Sequence, residues 1–131
     1  MKRGRSVACG IYEAMSYAAV AADVEVHAAT GQARLPKLWC ARDCGHVINP
    51  NQVRAQCEGN LVLVHVIALM EQLPVAASSV TTTAFAHSPI PSPPGVPAMG
   101  VVLVDGAQPL TDARETAIVA AAVASRIPSA R

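Results

Sequence analysis

The first half of the chain alternates apolar and polar side chains with the period of two that is typical of β-strands. This pattern predicts strands over Ser6–Ile11 and Tyr17–His27, and the second strand ends at a glycine-containing turn, Ala29–Gln32. Ala33–Asp43 is predicted to be the hairpin partner of the second strand. Pro36 interrupts this partner, and because proline cannot donate a ladder hydrogen bond, we expect it at a sheet edge or a β-bulge.

A long helix is predicted after these strands. Asn49 can cap its first free N–H groups, and Pro50 suits the first helical position because the N–H it lacks has no partner there. The helix is expected to run to about Gln72, before Pro74. Its second half, Leu61–Met70, is apolar almost all round, which predicts burial on every side.

The rest of the chain has shorter apolar segments. Ser78–Ala86 is rich in Thr and Val and is predicted to be a strand, and residues 87–98 are expected to form an extended, proline-rich connector. A short buried strand over Gly100–Val104 and a last helix over about Ala113–Ser125 follow. The sum predicts a domain of class α+β, in which a small, mostly antiparallel sheet packs with two helices.

Composition and charge narrow the class of protein. Of the 131 residues 52 % are hydrophobic but only 3 % are aromatic, and the apolar residues are mainly alanine and valine. Such small side chains suit close packing of a helix on a sheet, or a segment that packs against a larger domain. The net charge of +1 and the lack of a basic stripe argue against nucleic-acid binding. The apolar runs are too short to span a membrane, and a soluble, cytoplasmic protein is expected.

Four cysteines raise the question of a metal site. The spacing of Cys9, Cys40, Cys44 and Cys57 matches neither paired zinc knuckles nor a ferredoxin motif, although Cys40 and Cys44 are predicted on one side of a strand near His46. Free cysteines are commonly small buried apolar side chains, so this interpretation is favoured over a metal site. Nothing in the spacing indicates a secreted disulfide framework.

The most specific pattern lies between Cys40 and Gly59. It contains Asp43–Gly45 (Asp-Cys-Gly) at the predicted strand end, Ile48–Pro50 (Ile-Asn-Pro) at the helix start and Gln56–Gly59 (Gln-Cys-Glu-Gly) in the helix. In this order the motifs resemble the molybdopterin-binding subunit of the xanthine dehydrogenase and aldehyde oxidase family, and within it the isoquinoline 1-oxidoreductase and aldehyde dehydrogenase beta subunits. The resemblance implies part of a larger domain that binds a molybdenum cofactor.

The resemblance also implies cofactor-binding residues. Gln56 is implied to contact the cofactor, and its amide can both donate to and accept from a pterin edge; a solvent-facing glutamine is the alternative. Gly59, one turn later, would leave room for the cofactor. Gly45 would permit close approach, although a turn that needs a positive φ explains this glycine better.

The same resemblance places a catalytic general base at Glu115. In the family a Gly-x-Gly-Glu segment supplies a glutamate that takes the proton from the hydroxyl group attacking the substrate carbon. Here the segment is Asp112-Ala113-Arg114-Glu115, which lacks both glycines, and Asp112 with Glu115 also fits a helix capping box. The residues favour the capping role, and Arg114 beside the metal pocket would argue against turnover.

The resemblance finally implies a fragment. The family's subunit is several times longer than this chain, and its electrons leave through iron–sulfur clusters on a partner subunit or domain. We therefore expect part of an enzyme that hydroxylates small aldehydes or N-heterocycles, either a gene fragment or one piece of a split subunit, inactive alone. The parent complex could also be periplasmic. The alternative is a small non-catalytic α+β interaction module that presents Leu61–Met70 and the last helix to a partner.

Overall fold

The computed structural model describes residues 1–13, 16–87, 89–109, 111 and 113–125. Its elements in chain order are β1 (Lys2–Tyr12), β2 (Ser16–Val26), β3 (Ala33–Asp43), α1 (Pro50–Leu69), β4 (Val75–Ala76), β5 (Ser79–Val80), β6 (Ala98–Val104) and α2 (Thr116–Ala124), with short 3-10 turns at Phe85–His87 and Pro93–Gly95.

Four strands form the main sheet, in the order β1-β2-β3-β6. The pairs β1–β2 and β2–β3 are antiparallel, whereas β3 and β6 are parallel. A parallel pair needs a long crossover connection, which α1 and the segment after it provide. The strands β4 and β5 form a separate two-residue hairpin. The predicted α+β class, with a mostly antiparallel sheet and two helices, is confirmed.

Pro36 lies at an irregularity between β2 and β3, as its chemistry predicts. Asp23 pairs with Lys37 and Glu25 pairs with Arg34, so one residue of β2 faces two residues of β3. This β-bulge removes the need for a ladder donor at the proline. The uninterrupted pairing continues from Lys37 to Asp43, toward the candidate site.

The two helices cover one face of the sheet. Helix α2 packs on β1 and β2, and α1 packs on β3 and β6. Small side chains make the approach close: a Cβ atom added at Gly10 of β1 would lie 3.1 Å from the backbone nitrogen of Ala120 in α2. The buried side chains between the layers are mostly aliphatic or small, and they include Val20, Leu38, Leu61, Val64, Ala117, Ala120 and Ala121.

The opposite face of the sheet, here called the outer face, has no helix of the described chain against it. Side chains alternate between faces along a strand, so the strand register assigns the outer residues. They form three cross-strand rows: Val7, Ala21, Trp39 and Gly100; Cys9, Ala19, Ala41 and Val102; and Ile11, Tyr17, Asp43 and Val104. The guanidinium of Arg5 and the ammonium of Lys37 each lie 4.8 Å from the centre of the Trp39 ring at one end of this face.

The turn after β3 fixes the segment that follows β6. Gly45 has φ +75°, and its N–H donates to Oδ1 of Asp43 at 3.0 Å. The backbone N–H of His46 donates to the Gln108 carbonyl at 3.0 Å. A Cβ atom at Gly45 would lie 2.1 Å from the carbonyl oxygen of Pro109. The predicted turn role of Gly45 is therefore confirmed, and the space beside its Cα is filled by protein backbone.

Three local predictions are wrong. Gly100–Val104 is a strand but not a buried one, because Val102 and Val104 are 63 % and 45 % exposed. Ser78–Ala86 is not a continuous strand: only Ser79–Val80 pairs, with Val75–Ala76, and no other strand of the described residues pairs with this stretch. The apolar half of α1 is not buried on every side either, since Leu63 and Ile67 are 45 % and 46 % exposed. The sheet and α2 cover only one side of α1. The apolar composition of Leu61–Met70 therefore predicted more burial than the structure has.

His65 generates a prediction about pH. Burial lowers the pKa of His65 below its usual value of about 6.5, and a hydrogen bond with the Gly95 backbone offsets this only in part. The unfolded chain then binds the proton more readily, so the free energy of unfolding should fall as the pH drops from 6.5 to 5 and stay flat above 7. Urea unfolding between pH 5 and 8 measures this, and His65→Gln should flatten the profile.

His46→Gln, a substitution at an exposed histidine, is the control and should leave the pH profile of stability unchanged. Asp23 and Glu25 have pKa values lowered by hydrogen bonds with Arg5 and Arg34, so their contribution is lost only at lower pH. An unchanged profile in His65→Gln would show that another group is responsible.

The turn after β3 generates a second prediction. Gly45→Ala should reduce the free energy of unfolding by about 1–2 kcal/mol for the left-handed backbone, and by more because the new Cβ displaces Pro109. Gly31→Ala is the matched control: its φ is +72°, but nothing lies within 4 Å of its added Cβ. Equal destabilisation of the two variants in urea unfolding would contradict the packing of residues 108–109 against Gly45.

Candidate functional site

An open groove runs between the start of α1 and the segment before α2. The residues that line it come from the first two turns of α1, the loop before it and the approach to α2: Ile48, Asn49, Gln52, Val53, Ala55, Gln56, Ala113 and Arg114. The groove therefore joins two parts of the chain that are about sixty residues apart in sequence. It is mainly apolar with a few amides and one cation, a composition typical of small-molecule sites.

The N-terminus of α1 is held in place by its cap. Oδ1 of Asn49 accepts a hydrogen bond from the backbone N–H of Gln52 at 3.2 Å, and Pro50 occupies the first turn. The predicted cap is confirmed. Because the cap fixes where the helix begins, it also fixes which side chains face the groove: Gln52 and Gln56, one turn apart, are both exposed there.

Asn60 fixes the other wall of the groove. It is 5 % exposed, and its Nδ2 donates to the backbone carbonyl of Arg114 at 2.9 Å. The amides of α1 thus divide into the exposed Gln52 and Gln56, which line the groove, and the buried Asn60, which anchors the segment before α2. Asn60 was not predicted as a site residue, although its position beside the apolar run from Leu61 is a usable signal.

The glycines and the glutamate implied by the resemblance are placed differently. Gly59 is exposed on α1, and a Cβ atom there would meet nothing within 4 Å, so space is open beside it. Gly45 is buried against residues 108–109. Of the described residues proposed for the site, Gly45, Gly59 and Glu115 lie outside the groove lining, whereas Gln56 belongs to it.

Glu115 is exposed and occupies the N-cap position of α2, with no capping hydrogen bond from its side chain. The helix begins at Thr116, three residues later than predicted. Glu115 therefore cannot occupy the third helical position of a capping box, and that interpretation is wrong; Asp112 lies outside the described residues. The carboxylate is left facing solvent beside Arg114.

A buried cation and three thiols lie behind the site. Arg42 is fully buried on the inner face of β3, and Cys40, Cys44 and Cys57 are at most 1 % exposed. A hydrogen bond with Cys57, together with burial, raises the pKa of Cys40, and burial raises the pKa of Cys44 despite a hydrogen bond with Arg42. These two thiols are therefore protonated and unreactive at neutral pH.

The described residues contain neither a cluster of metal ligands nor a membrane-spanning helix. No three His, Cys, Asp or Glu side chains among them are grouped so that they could bind a metal ion together. No helix within the same residues is long and apolar enough to cross a bilayer. The groove thus offers amides, a guanidinium and apolar surface, which suit binding of an organic molecule with polar edges rather than direct coordination of a metal.

Comparison with known proteins places these features in a family. A family model described as the molybdopterin cofactor-binding domain matches residues 3–97. The isoquinoline 1-oxidoreductase subunit beta of Brevundimonas diminuta is 34 % identical over 115 residues, which are 86 % of this chain and 15 % of that subunit.

Solved structures agree with this match. A copper- and molybdenum-containing CO dehydrogenase superposes with a TM-score of 0.77 at 18 % identity, over 83 % of this chain and 14 % of that one, and this shows the fold alone. The aldehyde oxidoreductase of Desulfovibrio desulfuricans superposes with a TM-score of 0.69 at 26 % identity, over 84 % of this chain and 12 % of that one. The chain spans only about one seventh of the curated relative's length.

The family model includes β1 to β3, the turn at Gly45 and the whole of α1 with Gln56 and Asn60, whereas Glu115 lies beyond the matched residues. The strand, turn, cap and helix of the Cys40–Gly59 motif also occur in the predicted order in the structure. The chain belongs to the molybdopterin cofactor-binding domain family, as part of a larger molybdenum-binding subunit.

Proposed function

We propose that this chain forms part of the cofactor-binding wall of a molybdenum hydroxylase subunit that oxidises aldehydes or N-heterocycles. The observation that supports this most directly is the groove at the start of α1, where two exposed amides face solvent within the segment matched by the family model. The relatives named for isoquinoline and aldehyde oxidation suggest the two substrate classes.

The residues present fit a pterin better than a metal ion. The Gln56 amide offers donors and acceptors in one plane, which match the alternating polar edge of a pterin, and Gln52 offers a second amide one turn away. Arg114 contributes a positive charge on the opposite wall, which would attract the phosphate of the cofactor. When bound, the molybdenum cofactor supplies the redox chemistry of the hydroxylation.

The two glycines support the groove in different ways. Gly59 leaves open space on the exposed side of α1, one turn beyond Gln56, where a bulky ligand could extend along the helix. Gly45 is proposed to affect the cofactor only indirectly. Pro109 occupies the space beside its Cα, so Gly45 positions the chain segment that leads to the groove. Asn60 is a positioning residue, since its hydrogen bond holds the backbone that presents Arg114.

Glu115 is proposed as the general base of the parent enzyme. Its exposure in this chain is a poor environment for proton transfer at neutral pH, so the role requires that the rest of the subunit bury its carboxylate. The chain alone is therefore proposed to be inactive. The proposal includes an iron–sulfur partner subunit that accepts the electrons, and a cytoplasmic location.

Cofactor content provides the first test. The isolated chain should hold far less than one molybdopterin per chain. A graft, in which this chain replaces the matching segment of the Brevundimonas subunit, should hold the cofactor stoichiometrically. In the graft, Gln56→Ala should weaken pterin retention about fivefold, the effect of losing one hydrogen bond. Gln72→Ala, an exposed amide beyond the end of α1, is the control. Equal loss in both variants, or a full complement in the isolated chain, would contradict the proposal.

Turnover in the same graft tests Glu115. Glu115→Gln should lower kcat by about a hundredfold or more, because general-base catalysis is lost, while the pterin content stays unchanged. Glu58→Gln, on the half-buried side of α1, is the control and should retain turnover. A graft that turns over normally with Gln at position 115 would show that this residue is not the base.

A further inference from the structure

Two of the buried cysteines meet where α1 packs on β3. Cys40 lies on the inner face of the sheet, Cys57 lies on the buried side of α1, and each residue is 1 % exposed. The thiol of Cys40 donates a hydrogen bond to the sulfur of Cys57. The pair therefore connects the strand and the helix that lead into the candidate site.

A separate contact holds Cys57 over Cys40. Arg54, three residues before Cys57 on α1, donates from Nη1 to the backbone carbonyl of Val101. Val101 is the partner of Cys40 in the parallel ladder between β3 and β6. Residues three apart on a helix lie on the same side of it, so the contact that places Arg54 at Val101 also places Cys57 at Cys40.

The two sulfurs differ in how readily they lose a proton. The hydrogen bond from Cys40 lowers the pKa of Cys57, and burial opposes this shift. The positive charges of Arg42 and Arg54 lower the pKa of Cys57 further. The same hydrogen bond, together with burial, raises the pKa of Cys40. Because the thiolate is the nucleophilic form of cysteine, Cys57 is the sulfur that reacts first with an oxidant.

We propose that Cys40 and Cys57 are a redox pair, which a small peroxide converts into a disulfide bond between β3 and α1. The Cys57 thiolate attacks one oxygen of the peroxide, the O–O bond breaks, and Cys57 becomes a sulfenic acid while hydroxide leaves. The sulfur of Cys40 then attacks that of Cys57 and gives up its proton, and the S–O bond breaks to release water. Two electrons pass from the two sulfurs to the peroxide.

The other cysteines are less well placed for such a bond. A disulfide needs Cα atoms about 4.4–6.8 Å apart. Cys44 follows Cys40 by four residues along a chain that is extended as far as Asp43, which separates the Cα atoms of the two cysteines by more than about 10 Å. The side chain of Cys44 hydrogen-bonds with Arg42. Cys9 is exposed on the outer face of the sheet, away from the other three.

The disulfide would fasten the first half of α1 to the sheet. Gln56 is the neighbour of Cys57 in sequence and lines the groove, whereas Cys57 faces β3. The bond would therefore fix the helix that carries the groove amides without entering the groove. This inference concerns the chain itself and goes beyond the proposed function, so it can be tested without the cofactor.

Trypsin separates the four cysteines into four peptides, so the bond can be identified directly. Cleavage after Lys and Arg places Cys9 in residues 6–34, Cys40 in 38–42, Cys44 in 43–54 and Cys57 in 55–114. The folded Cys9→Ser variant, which lacks the exposed thiol, is treated with hydrogen peroxide, alkylated in denaturant and analysed by mass spectrometry. Peptides 38–42 and 55–114 should be recovered as the main linked pair, and dithiothreitol should separate them.

Further variants test the roles of the two sulfurs. Cys40→Ser should abolish the linked pair, and Cys57 should then remain a sulfenic acid or be oxidised to a sulfinic acid. Cys44→Ser, at another buried cysteine, is the matched control and should still form the bond. If Cys40→Ser does not fold, peroxide treatment in urea replaces it: peptides 38–42 and 55–114 should then no longer be the main linked pair.

The remaining outcomes decide against the proposal. A main linked pair that contains Cys44, or a folded chain in which Cys40 and Cys57 stay reduced, would overturn it. The oxidised chain should also unfold at a higher urea concentration than the reduced chain, because the bond restricts the unfolded state. Unfolding of the oxidised chain at a lower urea concentration would show that the native contact between β3 and α1 does not accommodate the disulfide.

Discussion

The structure depends on the contact between the turn that follows β3 and the segment that follows β6. Without a side chain at Gly45, the carbonyl of Pro109 lies where a Cβ atom would be, and hydrogen bonds on either side join His46 to Gln108 and Thr111 to Cys44. These contacts bring the approach to α2 beside the start of α1. The inner layer, the groove and the position of Glu115 all follow from this one close approach.

Helix α1 transmits this constraint to the candidate site. Its cap at Asn49 fixes the first turn, Gln56 faces the groove, and Asn60 on the next turn fixes the backbone at Arg114. The capping Asn49, the groove-facing Gln56 and the buried Asn60 therefore belong to one rigid helix. The inner face of the sheet is densely packed and includes the fully buried Arg42, whereas Val7, Ile11 and Val102 on the outer face are exposed.

The sequence predicted what local chemistry determines. Ala33–Asp43 is a strand with the predicted bounds, Pro36 lies at a bulge, and Asn49 with Pro50 begins the long helix, because alternation, a missing N–H and a capping amide act within a few residues. The Cys40–Gly59 motif led to the family that the comparisons confirm. Its specificity lies in the order of strand, turn, cap and helix.

Contacts between distant residues were not predictable in this way. Ser78–Ala86 has the composition of a strand, but only Ser79–Val80 finds a partner, in Val75–Ala76. Leu63 and Ile67 lie in an apolar run, but they are nearly half exposed. The anchoring role of Asn60 follows from its hydrogen bond to the backbone of Arg114, 54 positions away. The start of α2 and the exposure of Glu115 depend on the same long-range docking, so the local capping pattern failed there.

The parallel pairing of β3 with β6 also sets the order of events in folding. Asp43 and Val104 are partners across 61 positions, whereas the β1–β2–β3 meander closes through short turns. Contacts close in sequence form sooner because closing a long loop costs more chain entropy. The meander and α1 can therefore form while the second wall of the groove is still unfolded. On this order of events, the groove surface that Gln56 and Arg114 share is completed only after β6 has paired with β3.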